Sequence, residues 1–279
     1  MTLSSPPEQA LRAPLARPGG LPSRRVARIA GIFMVITFIS IPALLLYGQV
    51  LHHTDFVLGA GGGGGGGGGG DARVYVGALF EILTLIAGIG MAVTLYPVLR
   101  RQSESLALGY VTVRVVESCL IAVGIVSLLA VVTLRRDLAG AAGTDHASLI
   151  LSGRSLVAVH DATFLLGPAF CAAIGNGLIL GYLMLRSGLV PRRLALLGVA
   201  GGSLALVTAL LVLFGAYKQS AAASFFLTLP EAVWELSLGI YLIVKGFKPS
   251  HVLHDDGRHT GVDGPLIPAF ATPETVAAP

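Results

Sequence analysis

Six long apolar segments constrain this chain more than any other feature of its sequence. A helix needs about 20 mostly apolar residues to cross the hydrocarbon core of a bilayer, which is roughly 30 Å thick. Charged residues make up only 12% of the 279 residues, whereas soluble domains have about 25%. We therefore predict an all-α, polytopic bundle of six transmembrane helices, with spans at Ile29 to Tyr47, Val74 to Leu99, Leu108 to Leu134, Leu156 to Leu185, Leu194 to Phe214, and Ala222 to Val244.

Outside the apolar segments, the composition predicts two tails and one glycine-rich loop. Residues 1–25 are rich in Pro and Arg, and residues 249–279 mix His, Asp, Gly and Pro without apolar periodicity, so we expect both tails to be disordered. Residues 26–248 then form the transmembrane domain. The run Gly61 to Gly70 predicts a flexible outer loop over residues 59–71, because glycine offers no side chain to pack.

The distribution of Lys and Arg between the loops predicts the orientation of the chain. If the N-terminus is cytoplasmic, most basic residues lie on the cytoplasmic side, and the basic residues left outside are Arg73, Arg135, Arg136, Arg154 and Lys218. We therefore predict that both termini are cytoplasmic and that the protein is a multi-pass protein of the inner membrane. The net charge of +4 is explained by this topology and by anionic lipid at the inner face. The predicted partner is thus the lipid bilayer, and no nucleic acid is implied.

Seven ionisable side chains interrupt the apolar segments. A charge near the bilayer centre costs about 2.5 to 3.5 kcal/mol on insertion scales, so such residues are expected to face the interior of the bundle and to be paired. Five of them are acids and one is a permanent cation, an imbalance that is expected of a proton relay or a cation site. The seven are Glu81, Arg114, Glu117, His160, Asp161, Glu231 and Glu235.

Depth along the helices predicts which of these side chains can meet, because each helical residue advances about 1.5 Å. The outer half of the membrane then contains Glu81, His160, Asp161 and Glu231, and the inner half contains Arg114, Glu117 and Glu235. Arg114 and Glu117 are three residues apart and can pair on one helix face. Because a guanidinium has five donors, Arg114 can also serve Glu235.

Catalysis has little support in the sequence. The chain has no GxSxG serine, no HExxH zinc pair and no nucleotide-binding loop. His160 and Asp161 are adjacent, so on a helix their side chains diverge by about 100° and do not form an orienting dyad. We predict no catalytic residue, no cofactor and no metal site.

Two hypotheses for the buried charges stay open at this stage. In the first, the protein handles an ion, a proton or a small solute, with Arg114 as the fixed cation, Glu117 and Glu235 as its partners, and Glu81 or Glu231 as titrating groups. In the second, the protein is a structural or interaction module in which the charges only fix helix packing.

Two small-residue motifs predict close helix contacts in lipid. Gly177 and Gly181 are four apart in the fourth predicted span, and Gly198 and Gly202 are four apart in the fifth. Small residues let membrane helices approach closely, where the hydrophobic effect does not drive their association. Either motif predicts an internal contact or the face of a homo-oligomer.

Several stretches together resemble a known family. They are RVVE at 114–117, HDATF at 160–164, GYLMLRSGLVPR at 181–192 and ELSLGIYLIVKG at 235–246. Their combination resembles the DUF4386 family of bacterial integral membrane proteins, over roughly residues 25–248. The resemblance implies a six-helix membrane protein of unknown function, and the family's Arg-x-x-Glu and late Glu match Arg114, Glu117 and Glu235.

Overall fold

The computed structural model describes residues 23–59, 68–138, 143, 145–250 and 253. Within these ranges every regular element is helical. The α-helices are α1 (Ser23–Thr37), α2 (Ser40–Leu46), α3 (Gly48–His52), α4 (Gly68–Leu99), α5 (Glu104–Leu138), α6 (His146–Phe164), α7 (Gly181–Ser187), α8 (Arg192–Leu213) and α9 (Ala222–Val244). A 3-10 turn covers Phe56–Leu58, and two π-helical stretches, Leu165–Cys171 and Ala173–Leu180, join α6 to α7.

Six segments of the described chain are long and apolar enough to cross a membrane, so the predicted six-helix membrane fold is confirmed. We name them spans 1 to 6: Ser23–Leu46, Gly69–Leu99, Glu104–Leu138, His146–Ser187, Arg192–Leu213 and Ala222–Val244. Spans 3 and 4 contain 35 and 42 residues, more than the sequence analysis assigned to them. The extra length changes the depths of the charged residues along these helices.

Five of the six spans begin earlier than the sequence analysis predicted, and the sixth begins at the predicted residue, Ala222. α1 begins at Ser23, inside the predicted N-terminal tail, and α4 begins at Gly68, inside the predicted glycine loop. The rest of these predicted segments, residues 1–22 and 60–67, lies outside the described residues, as does the predicted C-terminal tail from residue 254 onward.

The first described residues after α9 pack on the turn between α7 and α8. The Lys248 backbone N–H donates to the Leu189 carbonyl at 2.8 Å, and the Ser250 hydroxyl donates to the Ser187 carbonyl at 2.5 Å. The bundle therefore continues a few residues beyond the last span.

Span 1 is broken between α1 and α2. The Thr37 carbonyl, at the break, accepts hydrogen bonds from the Ser40 hydroxyl at 2.9 Å and from the Thr84 hydroxyl of α4 at 3.5 Å. Backbone groups freed inside a membrane need partners within the protein or in a water-filled cavity. Here two hydroxyl groups supply the partners, and one of them ties the break to α4.

Span 4 changes from α-helix to π-helix around Pro168. A proline inside a helix lacks the backbone N–H and its ring crowds the carbonyl four residues earlier. The wider π turns accommodate this defect, and such turns often occur at functional sites. They also rotate the end of span 4 relative to a regular α-helix, which sets the direction of the side chains that follow Pro168.

Glycines bring span 4 and α8 together. A Cβ atom added at Gly202 would lie 2.5 Å from the Cα of Gly177, and one added at Gly181 would lie 3.2 Å from the carbonyl carbon of Gly198. Only residues without side chains allow this approach. Both predicted glycine motifs therefore form an internal contact, while association into a homo-oligomer stays a prediction.

The apolar core of the described residues has three clusters, a small one of Ala78, Ile121 and Ile125 and two large ones. One large cluster contains Met34, Leu95, Tyr110, Leu183 and Trp234, and the other contains Tyr47, Val50, Phe56, Leu128 and Leu149. In spans 1 to 4, residues of one large cluster lie toward one end of the span and residues of the other lie toward the opposite end. The middle of each of these spans therefore lies between the two large clusters. The polar residues described next occupy that middle layer.

Candidate functional site

A cavity of about 190 Å³ lies in the middle layer, beside the break in span 1. One water needs roughly 10 to 15 Å³ of such volume, so the cavity has room for several waters or one small solute. Four charged side chains line it: Glu81, Arg114, Glu117 and Glu235. Its uncharged polar lining comes from Thr37, Ser40, Thr84 and Asn176. We call these eight residues and the space between them the central cavity.

The fixed positive charge of the central cavity is held by an ion pair on α5. Arg114 and Glu117 are only 3% and 6% exposed, and the guanidinium donates to the Glu117 carboxylate. Gly88 of α4 makes room for the arginine, because a Cβ atom there would lie 2.7 Å from its Nη2 atom. The pair predicted from the i,i+3 spacing is therefore present and buried.

Asn176 connects three spans through its amide. Its Nδ2 donates to Glu235 Oε1 at 2.5 Å, and its Oδ1 accepts from the Tyr110 hydroxyl at 3.3 Å. Glu235 is also attracted electrostatically by Arg114. Sequence analysis predicted Glu235 as a second hydrogen-bond partner of Arg114, but Glu235 accepts its hydrogen bond from Asn176 on the π-helical stretch instead. Its interaction with the Arg114 guanidinium is electrostatic.

Glu81 approaches the same cavity from α4. The Tyr47 hydroxyl donates to Glu81 Oε2 at 2.9 Å, and the His160 ring packs edge-on against the Tyr47 ring at 5.8 Å between centroids. Glu81, His160 and Thr163 also line a narrow void of about 10 Å³. The histidine is therefore close to Glu81 without being part of the lining of the central cavity.

The adjacent pair in span 4 separates as expected for a helix. His160 is 3% exposed, whereas the side chain of Asp161 is 66% exposed, and His160 Nδ1 and Asp161 Oδ1 are 3.6 Å apart, beyond hydrogen-bond distance. Asp161 faces a second cavity of about 430 Å³, which is also lined by His53, Arg154 and Lys218. Asp161 therefore belongs to a different surface from the central cavity.

Glu231 stands apart from the other predicted site residues. It is 3% exposed and does not line the central cavity, although Glu235 on the same helix does. Neither of its carboxyl oxygens has a hydrogen-bond partner among the described residues. Its neighbours are the glycines of span 4 and α8.

A second ion-pair group, which the sequence analysis did not identify, links α4 and α5. Asp71 Oδ1 lies 3.1 Å from Arg135 Nη1, and Asp71 Oδ2 lies 3.1 Å from Arg136 Nε. The Arg135 guanidinium also lies over the Phe56 ring, 4.5 Å from its centroid. The signal in the sequence was an aspartate at the start of one apolar segment and two arginines at the end of the next.

Sequence reasoning also missed the uncharged members of the site. Tyr47, Tyr110 and Asn176 are each 3% exposed or less, and each donates to or accepts from a charged or amide group of the middle layer. A search for polar but uncharged residues in the middle of the spans would have found Asn176. No group of three or more His, Cys, Asp or Glu side chains in the described part of the chain is arranged to hold a metal ion.

Comparison with known proteins identifies the family of the chain. A family model described as "Domain of unknown function (DUF4386)" matches residues 29–246. The chain belongs to the DUF4386 family. The matched DUF4386 region runs from α1 to just beyond α9 and contains every residue of the central cavity. No curated protein and no solved structure matches the chain.

Proposed function

We propose that the protein handles protons or small monovalent cations in the central cavity. The observation that carries this proposal is the charge of the lining, where three carboxyl groups, Glu81, Glu117 and Glu235, surround the single guanidinium of Arg114. Intramembrane carboxyl groups in excess are expected where a cation or a proton is bound. A cluster that only fixed helix packing would need no such excess.

The break in span 1 supports the same proposal. Helices interrupted near the middle of the membrane are a common way for transporters to present backbone oxygens to an ion. Span 1 has such a break, and although the Thr37 carbonyl there already accepts from two hydroxyl groups, Thr37 and Ser40 both line the cavity. The cavity therefore combines carboxyl-bearing and hydroxyl-bearing residues, whose oxygens are ligands that hard cations prefer.

We further propose that the protein lies in the inner membrane of a bacterium, with both termini in the cytoplasm. The support is the distribution of basic residues, because Arg100, Arg101, Arg192, Arg193 and Lys245 would all lie on the cytoplasmic side. The test is accessibility of single cysteines introduced after residue 245 to a membrane-impermeant reagent. Labelling in intact cells would contradict the proposed orientation.

The function is tested by flux into proteoliposomes. We compare the wild-type protein with the variants Glu117→Gln and Glu235→Gln, each checked to elute as a folded protein. Glu104→Gln is the matched control, because Glu104 lies on the same helix as Glu117 but is exposed. We expect proton or monovalent cation flux in the wild type and the control, and loss of that flux in both cavity variants.

A structural role is the second candidate, and one observation favours it. The hydrogen bonds of Asn176 join α5, span 4 and α9, so they hold three spans in register. If the wild type shows no flux, and Glu235→Gln lowers the unfolding temperature, the charges fix packing and the transport proposal is wrong.

A further inference from the structure

The carboxyl group of Glu231 occupies a slot that glycines make for it. A Cβ atom at Gly177 would lie 2.8 Å and 2.9 Å from the two carboxyl oxygens of Glu231, and a Cβ atom at Gly201 would lie 2.7 Å from its backbone nitrogen. The side chain is only 3% exposed, and neither oxygen has a hydrogen-bond partner in the described part of the chain. The fold thus provides space for this carboxyl group but no partner for its charge.

In the described part of the chain, the segments that pack around Glu231 carry few charged side chains. Residues 194–213 of α8 and the π-helical stretch Ala173–Leu180 around Gly177 include no titratable side chain. The titratable groups of span 4 on either side of that stretch are Cys171 and Tyr182. α1, which packs on α9, carries charge only at its three arginines near its start, residues 24, 25 and 28. On α9 itself, Glu235 interacts electrostatically with Glu231, and its charge has the same sign.

These surroundings fit a proton and do not fit a metal cation. A bound metal ion needs several oxygen ligands, whereas the residue that lies against the Glu231 carboxyl group is Gly177, which has no side chain, and the described residues give the group no hydrogen-bond partner. A bound proton needs only the carboxyl group itself. A carboxylate that is buried without a partner is strongly disfavoured, and taking up a proton removes the charge.

We propose that Glu231 is a proton-binding site of the protein, which is occupied at neutral pH and exchanges its proton with the central cavity through Glu235. The two residues are one helical turn apart, about 6 Å along the axis of α9. In the exchange, the O–H bond of Glu231 breaks and an O–H bond forms on the Glu235 carboxylate, so the proton and the negative charge change places. This inference rests on the proposed function and narrows its ion to the proton.

Infrared spectroscopy of the protein in lipid tests the occupied site directly, because a protonated carboxyl group and a carboxylate have different carbonyl bands. We expect the wild type at neutral pH to show a band of a protonated carboxyl group that shifts in D₂O and is lost in Glu231→Gln. The control Glu104→Gln should keep it. If Glu231→Gln cannot be recovered folded, Glu231→Asp must shift the band. A band that neither variant changes, or no such band in the wild type, would overturn the proposal.

Proton flux, measured with a pH-sensitive dye inside proteoliposomes, tests the exchange. We expect Glu231→Gln to lose the proton flux of the wild type. If the band is lost but the flux persists, Glu231 holds a proton outside the path and the exchange is wrong. If the wild type has the band but no flux, the proposed function fails while Glu231 stands as a protonated site.

Discussion

Asn176 Nδ2 lies 2.5 Å from Glu235 Oε1, so the π-helical part of span 4 holds a carboxyl group of the last span. The same amide accepts a hydrogen bond from Tyr110 of α5. One uncharged side chain thereby orients an acid of the central cavity and links three spans.

Replacing Asn176 by alanine removes both hydrogen bonds. We expect the free energy of unfolding to fall by about 1 to 3 kcal/mol, because Glu235 loses its donor while its carboxyl group stays in the bundle. Thermal unfolding in detergent measures the change. Ser203→Ala is the control, since the Ser203 hydroxyl bonds only its own helix at an exposed position. Equal losses in the two variants would contradict the role of Asn176.

Tyr47→Phe leaves the ring in place and deletes the hydroxyl group that donates to Glu81. We expect a loss of about 1 to 3 kcal/mol, since the buried carboxyl group loses a hydrogen bond. The loss should be smaller when Glu81 is already Gln, because residues in contact do not act additively. Tyr182→Phe at an exposed position is the control. Additive effects of Tyr47→Phe and Glu81→Gln would show that the two side chains do not interact.

The two arginines that pair with Asp71 differ in burial, so their removal should differ in effect. The Arg135 side chain is 4% exposed and that of Arg136 is 58% exposed. We expect Arg135→Gln to lower stability by about 3 to 5 kcal/mol, because it leaves a buried carboxylate with a weaker partner. Arg136→Gln should cost about 1 kcal/mol or less. Unfolding temperatures of the two variants measure this difference in stability. A larger loss in Arg136→Gln would refute the conclusion that the buried Arg135 is the more important partner of Asp71.

Gly202→Ala tests the contact between span 4 and α8. The added Cβ atom would meet backbone atoms of Gly177 and Ala173, which cannot move aside as a side chain could. We expect a loss of about 1 to 3 kcal/mol from overpacking. Gly109→Ala on α5 is the matched control, because nothing lies within 4 Å of the added atom, and alanine favours the helix by up to about 1 kcal/mol. A neutral Gly202→Ala would contradict the contact.

The stability of the first turn of α6 should depend on pH through its capping residue, Asp145, which lies outside the spans. The Ser148 hydroxyl and the backbone N–H groups of Ala147 and Ser148 donate to its carboxylate and lower its pKa below 3.8. Because the folded pKa is lowered, the cap stabilises α6 at neutral pH, and this stabilisation is lost as the pH falls through the folded pKa. We expect amides at the start of α6 to exchange faster in Asp145→Ala than in the wild type. The difference should vanish at a pH well below 3.8, and a constant difference would refute the cap.

Local patterns in the sequence predicted the spans and the Arg114–Glu117 pair. Hydropathy over about 20 residues and an i,i+3 spacing depend on one helix at a time, so they can be seen without the fold. The glycine motifs were likewise visible, although the sequence did not decide between an internal contact and a homo-oligomer.

The assembly of the central cavity could not be predicted in the same way. Depth arithmetic placed Glu81 and Arg114 in opposite halves of the membrane, yet both line one cavity. The arithmetic assumed straight helices that begin where the apolar segments begin, whereas span 1 is broken and spans 3 and 4 are longer than predicted. It also gave no information about direction around the helix axis, so Glu231 was grouped with Glu81 although it faces glycines.

The backbone contact between Gly177 and Gly202 limits how the protein can change shape. No side chain separates span 4 from α8 at this point, so a shift of one helix toward the other would bring their main chains into clash. α2 contains only 7 residues and is separated from α1 by the break at Thr37. The central cavity therefore borders a short helix on one side and the tightly packed span 4 on the other.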